Sequence, residues 1–208
     1  MSAVGAPLEA PKQQILDTTS DIQIQCLQRD SSPELVRQVA SLHYDGFGSK
    51  RCCLCFGDTN SELVSNLSSA VARVPDSKLE AYAVAVLDGD AVGFAQLGFH
   101  DTPGDIMMPY AFQTKPSAGT CHLERIVVSS KVRGKGLGTK LLAWVDSKAR
   151  ERECKTVKLE VVSNNPAKKL YERQGYVSHT STAAKVCMCP CVFCLLGHLY
   201  FDAMYKTL

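Results

Sequence analysis

A glycine-rich loop between a predicted strand and a predicted helix is the feature that most constrains the fold of this chain. Residues 132–139 read VRGKGLGT and follow residues 120–128, whose composition predicts a strand. Apolar residues at helical spacing predict a helix over residues 136–152, and residues 156–162 predict another strand. A strand, a helix and a strand within about forty residues form a β-α-β unit, in which the two strands are parallel.

The rest of the chain predicts five further strands and three further helices. Alternating apolar residues and turn residues predict strands at residues 21–28, 79–87, 91–100, 176–181 and 199–207. Helical periodicity and capping residues predict helices at residues 33–46, 59–74 and 164–174. Asp88, Gly89 and Asp90 predict a hairpin turn, and Pro75 with Asp76 is expected to end the second helix. Residues 101–119 are a predicted loop of a length that is usually functional or mobile.

The glycines of residues 132–139 suit an anion site. They let the backbone turn tightly and bring successive N–H groups together, and the helix that follows adds its positive N-terminal end. A pyrophosphate fits such a site, although a tight strand-to-helix connection without a ligand uses glycine for the same reason. The spacing matches neither the dinucleotide-binding G-x-G-x-x-G pattern nor the G-x-x-x-x-G-K-[ST] phosphate loop, so both of those classes are excluded.

Two motifs at matching spacing resemble the GNAT superfamily of acetyl-coenzyme A-dependent N-acetyltransferases. The pattern R/Q-x-x-G-x-G/A occurs at Arg133, Gly136 and Gly138. The pattern N-x-x-A-x-x-x-Y-x-x-x-G-F/Y occurs at Asn164, Ala167, Tyr171, Gly175 and Tyr176. The resemblance covers residues 79–182, and the order of elements extends it to residues 21–207.

The resemblance implies a mixed α/β fold of the GNAT type, with a splayed mixed sheet of about seven strands flanked by about four helices. It implies a flexible segment at residues 1–20 and a single N-acetyltransferase domain at residues 21–208. A cysteine-rich insertion at about residues 183–198 departs from the family pattern.

The resemblance also implies the activity and the cofactor site. The enzyme is expected to transfer the acetyl group of acetyl-CoA directly to a primary amine of a protein, peptide or small molecule, in a ternary complex. The implied cofactor-binding residues are Ile126, Val127, Val128, Arg133, Gly134, Lys135, Gly136, Leu137, Gly138, Thr139, Asn164 and Ala167. Backbone groups of Ile126 and Val128 are expected to pair with the pantetheine arm. The Val128 amide is expected to polarise the thioester carbonyl, a contact typically worth about 3–4 kcal/mol.

Proton transfer needs an acid for the departing thiolate and a base for the amine. Tyr171 occupies the position of the family tyrosine and is the predicted acid, with simple packing as the alternative. Regular alternation would place His122, Glu124, Ile126 and Val128 on one face of the strand. Glu124 is therefore a candidate base, unless it only pairs with an arginine or lysine. His122 is the second candidate, since imidazole titrates near neutral pH.

The ten cysteines are the unusual count in the composition. Seven lie in two clusters, at Cys52, Cys53 and Cys55 and at Cys187, Cys189, Cys191 and Cys194. Cys52, Cys55, Cys191 and Cys194 could together hold zinc; free thiols, palmitoylation and redox regulation are the other interpretations. Cys26, Cys121 and Cys154 lie singly in or beside predicted strands and are expected to be small core residues.

The net charge and the hydropathy of the chain limit the kinds of partner that it is expected to bind. A net charge of +2 without a run of like charge does not indicate nucleic acid. Residues 1–20 resemble neither a signal nor a transit peptide, and residues 192–201 are too short to span a membrane, so a cytoplasmic location is expected. A non-catalytic acyl-CoA-binding or sensing module, with cysteine-rich loops that serve a partner, is the alternative function. The sequence determines neither the amine acceptor nor the oligomeric state.

Overall fold

Seven strands form one mixed sheet in the computed structural model, which describes residues 21–47, 60–105, 115–162, 164–179 and 201–208. The strands are β1 (Gln23–Cys26), β2 (Tyr82–Leu87), β3 (Asp90–Gly98), β4 (Thr120–Val128), β5 (Thr156–Val162), β6 (Val177–His179) and β7 (Phe201–Thr207). Their order in the sheet is β1-β2-β3-β4-β5-β7-β6. Only β4 and β5 pair in parallel, as the β-α-β pattern predicts. All seven predicted strands are present, and the predicted fold class is confirmed.

Five α-helices lie in the described part of the chain, rather than about four. They are α1 (Pro33–Phe47), α2 (Asn60–Arg73), α3 (Asp76–Leu79), α4 (Leu137–Glu151) and α5 (Lys168–Arg173). The additional helix is α3, a single turn that begins where the sequence predicts only an end. Pro75 ends α2, but its carbonyl oxygen accepts hydrogen bonds from the amides of Lys78 and Leu79, so that a new turn begins at once.

The sheet separates two hydrophobic cores. On one side, which we call the α4 side, the apolar face of α4 and Tyr171 of α5 pack against strand residues that include Leu97, Leu159 and Met204. On the other, which we call the α1 side, α1 and α2 pack against Phe94 and Val127 among others. The helical stripe predicted for α4 is confirmed, because its five apolar residues are all buried.

An irregularity in β4 reverses the alternation of its side chains. Gln96 of β3 lies opposite Arg125, but the next residue, Leu97, lies opposite Leu123, so that Glu124 is an extra residue in β4. Before this bulge the odd-numbered Leu123 packs on the α4 side, whereas after it the odd-numbered Val127 packs on the α1 side. The prediction that His122, Glu124, Ile126 and Val128 share one face is therefore wrong.

Candidate active site

Strands β4 and β5 separate soon after they begin. They pair at only three positions, from Thr120 opposite Thr156 to His122 opposite Lys158. Beyond these positions β5 continues to pair with β7 along its length, while β4 continues to pair with β3. The sheet therefore opens between two parallel strands, and the edge of β4 that faces β5 is left unpaired from Leu123 onward.

The backbone groups of Ile126 and Val128 face this gap. The amide of Ser129 donates to the carbonyl of Val92 in β3 at 2.9 Å, and a Cβ added at Gly93 would lie 2.9 Å from the carbonyl oxygen of Val127. Both observations point the odd-numbered backbone groups toward β3. Because such groups alternate along a strand, those of Ile126 and Val128 point away from β3, into the gap.

The glycine-rich loop lies at the end of the same strand. Gly134 and Gly136 have φ angles of 77° and 85°, and Gly136 forms the N-cap of α4 in the left-handed conformation. Thr139 and the exposed Lys135 belong to the same segment. The Arg133 Nε donates to the Val128 carbonyl at 3.1 Å, which joins the loop to the gap.

Two members of the predicted cofactor set are also part of the packing. Leu137 is buried in the core on the α4 side, so only its backbone is available to a ligand. A Cβ at Gly138 would lie 2.8 Å from Cδ2 of Leu170, so this glycine allows α4 and α5 to approach closely. Asn164 is exposed just after β5, and Ala167 is half-buried at the N-cap of α5.

Tyr171 lies on α5 with its ring packed edge-on against Tyr176, at a centroid distance of 5.9 Å. Burial raises the pKa of its phenol to about 12. No hydrogen bond to its hydroxyl is made by any residue that the structure describes. The side chain therefore keeps its proton at neutral pH, as an acid must, and it also contributes to the core.

Glu124 is held in a buried ion pair. Its Oε2 lies 2.8 Å from Nζ of Lys78 and 2.7 Å from Nε2 of Gln96, and only 3% of its side chain is exposed. Burial raises the pKa of this carboxyl, while the charge of Lys78 acts in the opposite direction. Lys78 also donates to the Leu97 carbonyl at 2.9 Å. This geometry supports the ion-pair interpretation of Glu124 over the base.

Gln96 links this ion pair to a second one. Gln96 also donates to Asp105 at 3.0 Å, and Asp105 pairs with Arg125 at 2.7 Å. Arg125 donates from Nη1 to Nε2 of His43 at 2.6 Å. Burial and the Arg125 charge lower the pKa of His43 to about 3, so His43 is neutral and accepts this hydrogen bond. Two carboxylates thus balance two cations beneath the gap.

His122 lies where β4 and β5 separate. Its Nε2 is 2.6 Å from Oε2 of Glu160, and the other oxygen of Glu160 is 2.6 Å from Nζ of Lys158. Burial opposes the charge of Glu160, but the hydrogen bonds and charges of His122 and Lys158 together lower its pKa to about 2. Motif comparison misses Glu160 and Lys158, although the parallel register of β4 and β5 would have placed them beside His122.

The four proposed zinc ligands, Cys52, Cys55, Cys191 and Cys194, lie outside the described residues, as do the other clustered cysteines and residues 183–198. Within the described ranges, no three His, Cys, Asp or Glu side chains are grouped so that they could hold a metal ion. Cys121 and Cys154 are buried free thiols of the core on the α4 side, as predicted, whereas Cys26 is a half-buried free thiol that belongs to neither core.

Comparisons with known proteins find relatives among N-acetyltransferases. Spermine/spermidine N(1)-acetyltransferase of Bacillus subtilis (strain 168) is 32% identical over 91 residues, which are 43% of this chain and 54% of that protein. The chain thus spans about half the length of this curated relative. A crystal structure of ribosomal-protein-alanine N-acetyltransferase from Brucella melitensis has a TM-score of 0.59 at 19% identity, over 89% of this chain and 99% of the other. PaiA N-acetyltransferase from Thermoplasma acidophilum, solved with coenzyme A, has a TM-score of 0.53 at 14% identity, over 90% and 99% of the two chains.

The mixed fold and the opened sheet agree with the fold that the two motifs predict. The family described as acetyltransferase (GNAT) matches residues 55–176, more than half of the sequence, and the chain belongs to this family. GNAT proteins use acetyl-CoA as the acetyl donor. None of the helices in the described ranges has the length and apolar character that crossing a bilayer requires.

Proposed function

We propose that this protein is an N-acetyltransferase that transfers the acetyl group of acetyl-CoA directly to a primary amine within a ternary complex. One observation carries the proposal: β4 and β5 separate after His122, and the backbone groups of Ile126 and Val128, which do not pair with β3, face the gap. An open edge of this kind can hold both a donor and an acceptor at once, so that no acetylated enzyme is needed.

The residues present fit acetyl-CoA. The gap offers backbone donors and acceptors in strand geometry, and the loop at the N-terminus of α4 has open space around Gly134 and Gly136. We assign the pantetheine arm to Ile126 and Val128, and the pyrophosphate to the amides of residues 133–139, with Arg133 and Lys135 adding positive charge. When bound, acetyl-CoA supplies an activated acetyl group and a thiolate leaving group.

The side chains divide the proton transfers between them. We assign the acid to Tyr171, whose hydroxyl keeps its proton at neutral pH because burial raises the pKa of its phenol. We assign the base to His122 rather than Glu124, because Glu124 is paired with Lys78 and His122 is partly exposed at the separation of the strands. His122 takes a proton from the amine, directly or through water, and Tyr171 gives one to the sulfur.

The acceptor is proposed as a primary amine on the chemistry that two relatives share. The Bacillus protein is named for polyamines and the Brucella protein for alanine of a ribosomal protein. Both acceptors present a primary amine. We also propose that the protein works in the cytoplasm, where free thiols such as that of Cys121 stay reduced.

Release of free CoA from acetyl-CoA in the presence of a panel of peptides, polyamines and small amines tests this function. We expect turnover with at least one amine. Replacement of Tyr171 by Phe should lower kcat roughly 10²- to 10⁴-fold, the usual contribution of a general acid. The wild-type rate should stay on its alkaline plateau to about pH 10, because the pKa of Tyr171 is raised to about 12.

Two controls separate the interpretations. Replacement of Glu124 by Gln should keep an acidic limb in the pH profile of the rate, whereas replacement of His122 by Gln should remove that limb. Tight binding of acetyl-CoA without turnover on the whole panel would contradict catalysis and favour the sensing module.

A further inference from the structure

The carboxylate of Glu160 lies between two basic side chains beside the gap. One of its oxygens meets Nε2 of His122 and the other meets Nζ of Lys158, each at 2.6 Å. Neither Glu160 nor Lys158 belongs to the motifs of the family resemblance. Each oxygen has its own partner, so the carboxylate is fixed in orientation and not merely close to a positive charge.

All three side chains lie on the α1 side of the sheet. Val157, Leu159 and Val161 of β5 pack on the α4 side, so the intervening Lys158 and Glu160 point the opposite way. His122 lies between Cys121 and Leu123, which also pack on the α4 side. The group is therefore on the face opposite α4, at the last pair of positions before β4 and β5 separate.

The hydrogen bond determines which nitrogen of His122 is free. Burial opposes the charge of Glu160, but the ammonium of Lys158 and the hydrogen bonds to both oxygens lower its pKa, so its carboxylate can only accept hydrogen bonds at neutral pH. The Nε2 of neutral His122 must then carry the proton, and the lone pair lies on Nδ1. Among the described residues, none makes a hydrogen bond to this Nδ1.

We propose that Glu160 is a positioning residue for His122, and that Lys158 holds the Glu160 carboxylate in place, so that Nδ1 of His122 accepts the proton of the amine. The proposal rests on the proposed acetyl transfer. In that reaction the amine nitrogen forms a bond to the acetyl carbon and the bond from this carbon to sulfur breaks. The amine proton passes to Nδ1, the Tyr171 proton passes to sulfur, and solvent restores both groups.

The charges of Glu160 and Lys158 predict that these two residues have opposite effects on the proton affinity of His122. Glu160 stabilises the imidazolium that forms on proton transfer, while the ammonium of Lys158 opposes it. Among the residues that the structure describes, the other titratable groups that face this cluster are Glu124 of β4 and, on the far side of Lys158, Tyr205 of β7 with His179 of β6 against its ring. Burial lowers the pKa of Lys158, but the hydrogen bond and charge of Glu160 outweigh it and raise the value. Lys158 therefore keeps its charge at neutral pH.

The test compares Glu160→Gln and Lys158→Gln in the full chain, by the pH profile of kcat/KM with an amine from the panel. For Glu160→Gln we expect the maximal rate to fall roughly 10- to 100-fold and the acidic limb to move to lower pH. For Lys158→Gln the acidic limb should move to higher pH with a smaller loss of rate. Glu160→Asp should recover part of the loss, and the KM for acetyl-CoA should stay unchanged throughout.

The matched control is Glu151→Gln. Glu151 is an exposed carboxylate on α4 that pairs with Lys148 at 3.0 Å, away from the gap. Its replacement removes an ion pair of the same type and should change neither the rate nor the profile. Melting temperatures of all variants identify any loss of rate that comes from unfolding.

A second measurement does not need turnover. Nitrogen-15 NMR of the free protein reports the tautomer of each of the five histidines, and His122→Gln identifies the signal of His122. We expect a proton on Nε2 in the wild type and a mixture of tautomers in Glu160→Gln.

The outcomes separate the two claims. A Glu160→Gln variant with an unchanged profile and tautomer would overturn the positioning role. Loss of rate in Glu160→Gln together with full activity in His122→Gln would overturn it as well, since Glu160 would then take the proton itself. If the wild type acetylates no amine, the acetyl transfer fails, and the NMR result alone decides whether Glu160 orients His122.

Discussion

The carboxylate of Glu124 is paired with the buried ammonium of Lys78, and this pairing argues against Glu124 as the base that takes a proton from the amine. Sequence reasoning made Glu124 the first candidate base and His122 the second, because alternation along β4 assumes a regular strand. The bulge at Glu124 turns its side chain toward Lys78 instead. No local pattern marks the bulge, and Lys78 is 46 residues away, so the sequence alone could not distinguish the two roles.

Replacement of Lys78 by Met tests the ion pair. Removing one partner of a buried pair usually costs about 3–5 kcal/mol, since the other charge is left uncompensated. Burial already raises the pKa of Glu124, and without Lys78 it should rise further. A group whose pKa is higher in the folded than in the unfolded state stabilises the fold at pH values below its unfolded-state pKa. This stabilisation is lost as the pH rises through the folded-state pKa. Urea unfolding should therefore show a larger loss at pH 8 than at pH 5.

The double variant Lys78→Met with Glu124→Gln is the control. It removes both charges, so it should recover most of the stability that Lys78→Met loses at pH 8. Equal losses at both pH values would show that packing of the Lys78 chain, rather than its charge, is what matters.

The positions of the helices and strands were predicted better than the contacts between them. The seven strands and the four longer helices follow from periodicity and turn residues, with ends that differ by a few residues. The turn of α3 was missed, because a proline predicts the end of a helix but not a new turn directly after that end. Arg29 was also missed: from the loop after β1 it donates to the carbonyls of Ala72 and Val74 at the end of α2.

Replacement of Arg29 by Met should loosen the end of α2. The guanidinium satisfies carbonyls that have no partner within the helix and adds positive charge at its C-terminus. Because the side chain is half exposed, we expect a loss of only about 1–2 kcal/mol in unfolding free energy, with faster hydrogen exchange in the last turn of α2. Arg37→Met, which removes an exposed pair with Glu34 on α1, should cost much less, because solvent screens an exposed ion pair. Equal losses in the two variants would contradict the capping role.

At the scale of the whole molecule, the sheet consists of two parts joined mainly at three residue pairs of β4 and β5. The parallel pairing of these strands could be predicted from the β-α-β pattern. The insertion of β7 between β5 and β6 could not, because it depends on contacts between residues distant in sequence. That residues 21–208 form one domain stays a prediction.

Acetyl-CoA should stabilise the molecule by binding across this junction. A ligand at 100 times its Kd adds about 2.7 kcal/mol to the unfolding free energy. For a chain of this size the melting temperature should then rise by about 5–10 °C. Hydrogen exchange should slow at the amides of Ile126 and Val128. The amide of Val127 faces β3 and is the internal control, since it should already be protected without ligand. Unchanged exchange at residues 126 and 128 would place the cofactor elsewhere.

The backbone edge of β4 also has a consequence for how such proteins can diverge. Main-chain N–H and C=O groups are the same in every residue except proline, which lacks the N–H. Side chains at positions 126 and 128 can therefore change to others that still pack against the core on the α4 side, without altering the backbone edge. Such an edge is compatible with the low identity between this protein and the Brucella enzyme, which share fewer than one residue in five. A proline at position 128 would remove the N–H group of this edge, and this loss would occur whatever the effect of the proline on packing.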